Sequence, residues 1–299
     1  MVLIISLAFY ITLPVKTTQT VYVPQGSIGS IISQLTKKGY DLSIVDTYLL
    51  RLLGKPQQGW IFVGKTDMNR VDFLHKLTSG KAVIHKVTLI PGETLEIFFN
   101  TLAKTYRLDQ KKLMKYYREY SPYPEAGIYA DTYYVPAGIK EKHLIHFLVR
   151  ESEKKYKHLS EKLYGSYDPK QWQKILTTAS IIQKEAANNA EMPLVASVIQ
   201  NRLKKRMRLQ MDGTLNYGKY SHVKVTPERI KDDNTTFNTY KFKGLPPSPI
   251  GAVSLSAIKA AVKPAKTDYL YFMKNKKGTH DFSKNFRTHR KNIQKAKKE

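Results

Sequence analysis

Between residues 170 and 187, apolar side chains recur at Trp172, Ile175, Leu176, Ala179, Ile182 and Ala186. That spacing draws one stripe along a helix of period 3.6. Such a helix holds in water mainly by covering its stripe against another element. The next stripe, Leu194, Val195, Val198, Ile199 and Leu203, supplies a second helix after a short connection. Two apolar faces in close succession predict a packed helical core in this part of the chain. A loop-rich stretch then runs from Arg208 to Pro249, with Gly213, Gly218, Gly244 and the Pro246-Pro247 pair. Irregular segments of that length inside a compact domain usually carry function.

The upstream half mixes both periodicities. Val21–Gly26 reads as a strand entering a turn, with Ser27 as a helix cap before Ile28, Ile31, Ile32 and Leu35. The phrase returns at 87–91, where Gly92 turns the chain and Thr94 stands before Leu95, Phe98, Phe99 and Leu102. Two copies are too few for a solenoid. They predict small α+β units within 20–150, with a strand at 59–65 and a helix at 69–77 between them. Residues 122–136 are rich in Pro and Tyr and read as an ordered loop or short strands; 140–157 is a basic helix, and 165–169 a boundary. Late in the chain, 254–262 is helix-like and 269–273 a short strand. The fold class is α+β.

The first 15 residues carry no charge, and Lys16 ends the run. A spanning helix needs about 20 apolar residues, no Lys or Arg precedes the run, and no small-residue cleavage site follows it. It reads as the outer part of a signal anchor whose start lies upstream of Met1 or is mis-assigned; a buried strand or core helix is the alternative. The 299 residues include 50 Lys+Arg against 24 acids, a formal charge of +26 that implies a polyanionic partner or surface. Ten of those bases fall in 274–299 against Asp281 and Glu299 alone, which reads as a solvated basic tail. Cysteine is absent, which excludes disulfides, thiolate metal sites and thiol nucleophiles.

No phosphate-cradling glycine loop, HExxH or EF-hand pattern occurs. The eight histidines have no metal-ligand spacing, and His280 and His289 in the basic tail read as surface residues. Carboxylates remain. Glu185 follows Ile181 and Ile182 by four and three residues and so borders the buried stripe. A carboxyl at such an edge beside a wet loop is partly desolvated, which raises its pKa into the range useful for a general acid. From the residues alone, a surface glutamate in an i,i+4 pair is the competing reading.

The stretches ASIIQKEAANNAEMPLVASVIQNRLKKRMRLQMDGTLNYG (179–218), FNTYKFKGLPPSPIG (237–251), KPAKTDYLYFM (263–273) and THDFSKNFRTHRKNI (279–293) resemble, in this order, the endolytic murein transglycosylases, the MltG or YceG-like family. Upstream, SGKAVIHKVTLIPGETL (79–95) resembles the family's inter-domain run, and EAGIYADTY (125–133) its EGxxxPDTY element, with Ala126 in place of Gly and Ala130 in place of Pro. The resemblance covers nearly all of the chain beyond residue 20.

It implies a truncated anchor and linker at 1–19, a small LysM-like α+β module at 20–85, and an α+β catalytic domain at 86–299, divided into a connecting part (86–165) and a core (166–299). It implies that Glu185, in Gln183-Lys184-Glu185, is the catalytic acid/base and that position 183 is not catalytic. Gln210, Asp212, Thr214 and Tyr217 in one loop, Asn238 and Tyr240 in another, and Glu125 are the implied substrate contacts; turn chemistry is the alternative for the loop residues, above all Thr214 and Thr239. Pro246 and Pro247 read as structural, shaping the wall of the cleft. The implied reaction is non-hydrolytic cleavage of the MurNAc-β-1,4-GlcNAc bond of peptidoglycan glycan strands, leaving 1,6-anhydroMurNAc ends and terminating nascent strands. It needs no metal and no cofactor. The implied setting is a single-pass protein of the inner membrane with its catalytic domain in the periplasm, and cell-wall synthases as further partners. The competing reading is a nucleic-acid-binding protein with a basic, tyrosine-rich groove; nucleic acid is not the expected partner, because no known binding motif appears and the apolar N-terminus argues for export.

Overall fold

The computed structural model describes residues 2–298, and the side chains of residues 5–296. In chain order its elements are α1 (Val2–Thr12), β1 (Pro14–Lys16), β2 (Thr20–Val23), α2 (Ile28–Lys37), α3 (Ile44–Leu53), β3 (Gly59–Phe62), β4 (Asp67–Asn69), α4 (Arg70–Ser79), β5 (Lys81–Ala82), β6 (Ile84–Thr88), α5 (Leu95–Tyr106), α6 (Gln110–Tyr120), β7 (Thr132–Pro136), α7 (Glu141–Tyr164), α8 (Pro169–Glu185), α9 (Met192–Lys204), α10 (Pro227–Asp232), α11 (Leu255–Val262), β8 (Tyr271–Lys274), β9 (His280–Ser283) and α12 (Phe286–Lys298). Helices and strands are mixed throughout, as α+β requires. The chain divides into two compact units. The first comprises 1–87 with 134–139, the second 88–133 with 140–299.

In the first unit β2, β3 and β5 form an antiparallel sheet, Val21 facing Ile61 across the ladder. Alternation buries Val21 and Val23 and leaves Tyr22 outward. Ile31, Ile32 and Leu35 of α2, Leu50 of α3 and Phe73, Leu74 and Leu77 of α4 close the core. Ser27 caps α2, and Ser43 with Asp46 forms a capping box on α3. Asp46 is fully buried and pairs with Arg70 at 2.7 Å; Tyr10 donates to the same carboxylate at 2.9 Å, and its ring lies 4.2 Å from the guanidinium.

That network bears on the apolar N-terminal run. The expected single-pass inner-membrane anchor is contradicted, and the periplasmic placement that rested on it does not stand. Among the described residues no helix is long and apolar enough to cross a membrane. Eleven residues of α1 span about 16 Å, half of a bilayer's hydrocarbon core. The helix then gives way to β1, where Val15 is fully buried and pairs with Met68 of β4. The side chains of residues 1–4, part of the same run, lie outside the described set.

In the second unit the two stripes read from the sequence pack as expected. Trp172, Leu176, Ala179, Ile181 and Ile182 of α8 meet Val195, Val198 and Ile199 of α9 and Ala257 and Ile258 of α11. Each large side chain so buried contributes about 1.5–3 kcal/mol. Asp168 caps α8 by accepting from the Lys170 and Gln171 N–H groups, and Pro169 opens the helix. Gly92 N–H donates to Ala252 O and Ala252 N–H to Glu93 O, both at 2.7 Å. A Cβ on Gly251 would lie 2.8 Å from Gly92 O, so this close approach requires glycine.

The segment read as a solvated basic tail is ordered instead. β8 and β9 pair antiparallel, and α12 packs on them with His289 stacked on Tyr271 at 5.2 Å. His280 is not a surface residue: its N–H and Nδ1 reach Glu191 at 2.8 and 2.7 Å. Its charge-dense sequence hid these contacts, since Arg287, Arg290 and Lys291 of α12 are exposed. Glu299, one of the tail's two acids, lies outside the described residues.

Candidate active site

Glu185 is the last residue of α8, and Ala186 leaves the helix in extended geometry. The stripe buries Ile181 and Ile182 behind it, while Glu185 itself stays partly accessible. Its Oε1 accepts from the Gly213 N–H at 2.7 Å. Its Oε2 has no hydrogen-bond partner among the described residues. Burial pushes the carboxyl up to about 7; the Gly213 bond opposes the rise, the charge of Asp212 adds to it and Arg202 opposes it. A C-terminal position on a helix acts in the same direction as burial, because the helix dipole disfavours negative charge there.

Gly213 lies in a short 3₁₀ turn, Asp212–Leu215. A Cβ there would sit 2.9 Å from Glu185 Oε1 and equally close to Lys184 Cβ, so the approach of this backbone to the carboxyl is possible only for glycine. Asp212 is exposed beside it and accepts from Tyr240 Oη at 2.6 Å. Burial, and then the bond to Asp212, raise the Tyr240 phenol and keep it protonated. Gln210 holds φ of 50° with its side chain exposed. Glu185, Asp212 and Tyr240 therefore come together, with Gln210 at the margin of the same loop.

The other loop residues point inward. Thr214 is fully buried and bonds Met211 O at 2.7 Å and Thr239 Oγ1 at 2.9 Å. Asn238 is fully buried; it donates to Ile230 O and Asp233 O and accepts from the Tyr240 N–H. Tyr217 stacks on Phe237 at 4.5 Å and donates to Asp233 at 3.0 Å. These three fasten the two loops on which Asp212 and Tyr240 ride.

Glu125 occupies a neighbouring position. Its Oε1 accepts from Leu95 N–H at the start of α5 and, more weakly, from Ala126 N–H. Burial pushes it up to about 8; those bonds and Lys184 oppose the rise, and Glu93 adds to it. Ala126, which stands where the resembled element has glycine, takes a left-handed φ of 59°, a conformation that costs about 1–2 kcal/mol for a residue with a Cβ. Lys184 reaches Ser221 at 3.2 Å; burial lowers its pKa against the pull of Glu93 and Glu125.

Sequence reasoning missed Gly213 as a donor, since the glycine read only as loop punctuation. It also missed Arg202, whose buried guanidinium donates to Leu270 O at 2.6 Å and Leu209 O at 2.5 Å. Gln183, set aside as non-catalytic, accepts from the Ser254 N–H at the cap of α11. Nothing in the one-dimensional pattern marks these contacts. No group of three or more acidic or histidine side chains able to hold a metal occurs among the described residues.

The YceG-like family model matches residues 21–295. Over 118 residues the chain is 42% identical to the endolytic murein transglycosylase of Bacillus subtilis (strain 168), a match covering 40% of this chain and 33% of that protein. Over 125 residues it is 33% identical to the protein of the same name from Streptococcus pneumoniae serotype 2 (strain D39), covering 40% and 23%. The matches thus span about a third or less of these relatives' length. A crystal structure of a yceG-like protein from Listeria monocytogenes superposes with a TM-score of 0.60 at 28% identity, covering 92% of this chain and 99% of that one.

Proposed function

This chain belongs to the YceG-like family, and on that premise we propose that it is an endolytic lytic transglycosylase of peptidoglycan glycan strands, with Glu185 as its single catalytic acid and base. Protonated Glu185 gives its proton to the glycosidic oxygen as the MurNAc C1–O bond breaks. The C6 hydroxyl of the same MurNAc attacks C1, and its proton returns to Glu185. The products are a free GlcNAc hydroxyl on one fragment and a 1,6-anhydroMurNAc end on the other. The nucleophile belongs to the substrate, so a second carboxylate is not needed and much of the entropic barrier is already removed. Ends of this kind cannot be extended, so the reaction terminates nascent strands and belongs beside the cell-wall synthases that make them.

The observation that carries this reading is the state of Glu185. Its carboxyl is poised near neutrality with one oxygen held by the Gly213 N–H and the other unpartnered. Asp212, Tyr240 and Gln210, at the accessible margin, are the side chains for sugar hydroxyls, with Glu125 beside them; Thr214, Tyr217 and Asn238 act through the loops they hold. The paired strands β2 and β3 with α2 and α3 between them support a LysM-like module at 20–85 that positions the glycan, followed by the catalytic domain at 86–299, although the first compact unit also takes in the residues before 20 and 134–139. Mass spectrometry of products from uncrosslinked strands tests the assignment. Anhydro ends from the wild type and none from Glu185→Gln are expected; free reducing ends would make the reaction a hydrolysis and overturn it.

A further inference from the structure

A cleft of about 470 Å³ opens beside Glu125 in the second unit. Its walls include Glu96 of α5, Met114 and Arg118 of α6, Ser121 and Gly218. Two opposite charges line it without neutralising each other. Neither Glu96 nor Arg118 has an ion-pair partner among the described residues, although both side chains reach the same space. Glu96 rests against the backbone of Gly218, whose φ is 51°; a Cβ there would meet the carboxylate at 3.2 Å. Glu125, the third ionisable group on the wall, is held near neutral pH in its protonated form by burial, so it adds a hydrogen bond rather than a second negative charge.

A pocket that presents one free carboxylate and one free guanidinium complements a group bearing an ammonium and a carboxylate together. Peptidoglycan strands carry such groups wherever the stem peptide holds a diamino acid whose side chain ends in a free amine and a free carboxyl. The sugar backbone supplies no ammonium. We propose that this cleft is a stem-peptide subsite, in which Glu96 takes the ammonium and Arg118 the carboxylate of a zwitterionic stem residue. The proposal rests on the transglycosylase reading and deepens it: Gly218 on the cleft wall follows Gly213, the donor to Glu185, by five residues in the same loop, so a stem seated here lies on the flank of the reacting sugar.

The test measures KM and kcat for anhydro-end formation on three strands: intact, stripped of stems by an amidase, and intact with side-chain amines acetylated. The wild type is expected to show a KM about tenfold lower on intact strands, the effect of one hydrogen bond to a charged group at a partly exposed site. Glu96→Gln and Arg118→Gln should each erase most of that preference, leave kcat unchanged and match the wild type on stripped strands. Glu96→Gln should cost nothing further on acetylated strands, because its partner charge is already gone. A wild type indifferent to stems, or variants that keep the preference, would overturn the subsite. A merely structural role would lower kcat on every substrate; should Glu96→Gln lower the melting temperature, exposed Arg118 carries the test. Calorimetric titration with the free stem tripeptide reads the same site without turnover, so a protein that made no anhydro ends would defeat the enzyme reading and not this one. Binding of the free diamino acid as tight as the tripeptide would remove the stem from the assignment.

Discussion

Replacing Gly213 with alanine tests how Glu185 is held. The substitution is mild for the backbone, since Gly213 is not among the residues with positive φ. It is severe for the carboxyl. The new Cβ would sit 2.9 Å from Glu185 Oε1 and from Lys184 Cβ, against an ordinary contact of about 3.5 Å. The carboxyl has to move by about half an ångström or more, which breaks the 2.7 Å bond to the Gly213 N–H. A hydrogen bond to a charged group contributes about 1.5–3 kcal/mol, or roughly one to two pKa units at about 1.4 kcal/mol each. The lost bond favoured the ionised form, so the pKa moves upward from about 7.

In the proposed mechanism the free enzyme needs Glu185 protonated, so that pKa sets the alkaline limb of kcat/KM. The limb should shift up by about one to two units, while the plateau rate falls, by as much as about 100-fold for a displacement near 1 Å. Overpacking should cost about 1–3 kcal/mol of stability. Anhydro-end formation measured from pH 5 to 9, with thermal melts alongside, reads all three. An unmoved limb together with a lowered plateau would show that Glu185 does not titrate on that limb. An unchanged profile and rate would show that the Gly213 contact does not position the acid.

Stability should fall as pH rises from about 5 to 8. Glu185 and Glu125 are raised from 4.5 to about 7 and about 8, so the folded protein binds more protons than the unfolded chain in that window; melts across pH should show several kcal/mol of loss, and Glu185→Gln or Glu125→Gln should flatten the slope. Glu185→Gln should lower kcat by about 10²–10⁴-fold with little change in strand binding, and with the melting temperature little changed near pH 5, where the wild-type carboxyl is protonated too, measured by product mass spectrometry, binding assays and melts. Asn238→Ala leaves two backbone carbonyls and one N–H in a fully buried site without partners; it should destabilise by about 2–4 kcal/mol and lower activity through loop disorder, seen in melts and local hydrogen exchange. Arg70→Met strands buried Asp46 and should cost about 3–5 kcal/mol in the unfolding of the first unit.

What the sequence made legible follows from locality. The stripes of α8 and α9 are periodic within a few turns, and they placed Glu185 at the edge of the core where the structure has it. The length and the Gly and Pro content of the loop after α9 drew attention to it, and the structure has its Gly213 N–H on the Glu185 carboxyl. What was hidden depends on partners far along the chain. Tyr10 meets Asp46 and Arg70 across 36 and 60 residues, so a short docked helix and a membrane-bound one present the same apolar run. His280 pairs with Glu191 across 89 residues, and no pattern in the basic C-terminal segment announces it. Arg202 reads as one more base on an amphipathic helix until Leu209 O and Leu270 O close around it.

In the proposed mechanism one carboxyl serves twice, and the position of Glu185 suits both steps. An acid has to start protonated, yet it has to accept charge without collapse once its proton is gone. Burial and the C-terminal end of α8 favour the neutral form, which prepares the first step. The Gly213 N–H favours the charged form and is already in place at 2.7 Å, so the carboxylate left behind meets a preorganised donor rather than having to recruit water. Because these opposing influences leave the pKa near 7, neither proton transfer is steeply uphill at neutral pH. A stronger donor set, such as a second backbone N–H on Oε2, would pull the pKa down and spoil the first step. Deeper burial without Gly213 would spoil the second. The unpartnered Oε2 is thus as much a part of the arrangement as the bonded Oε1.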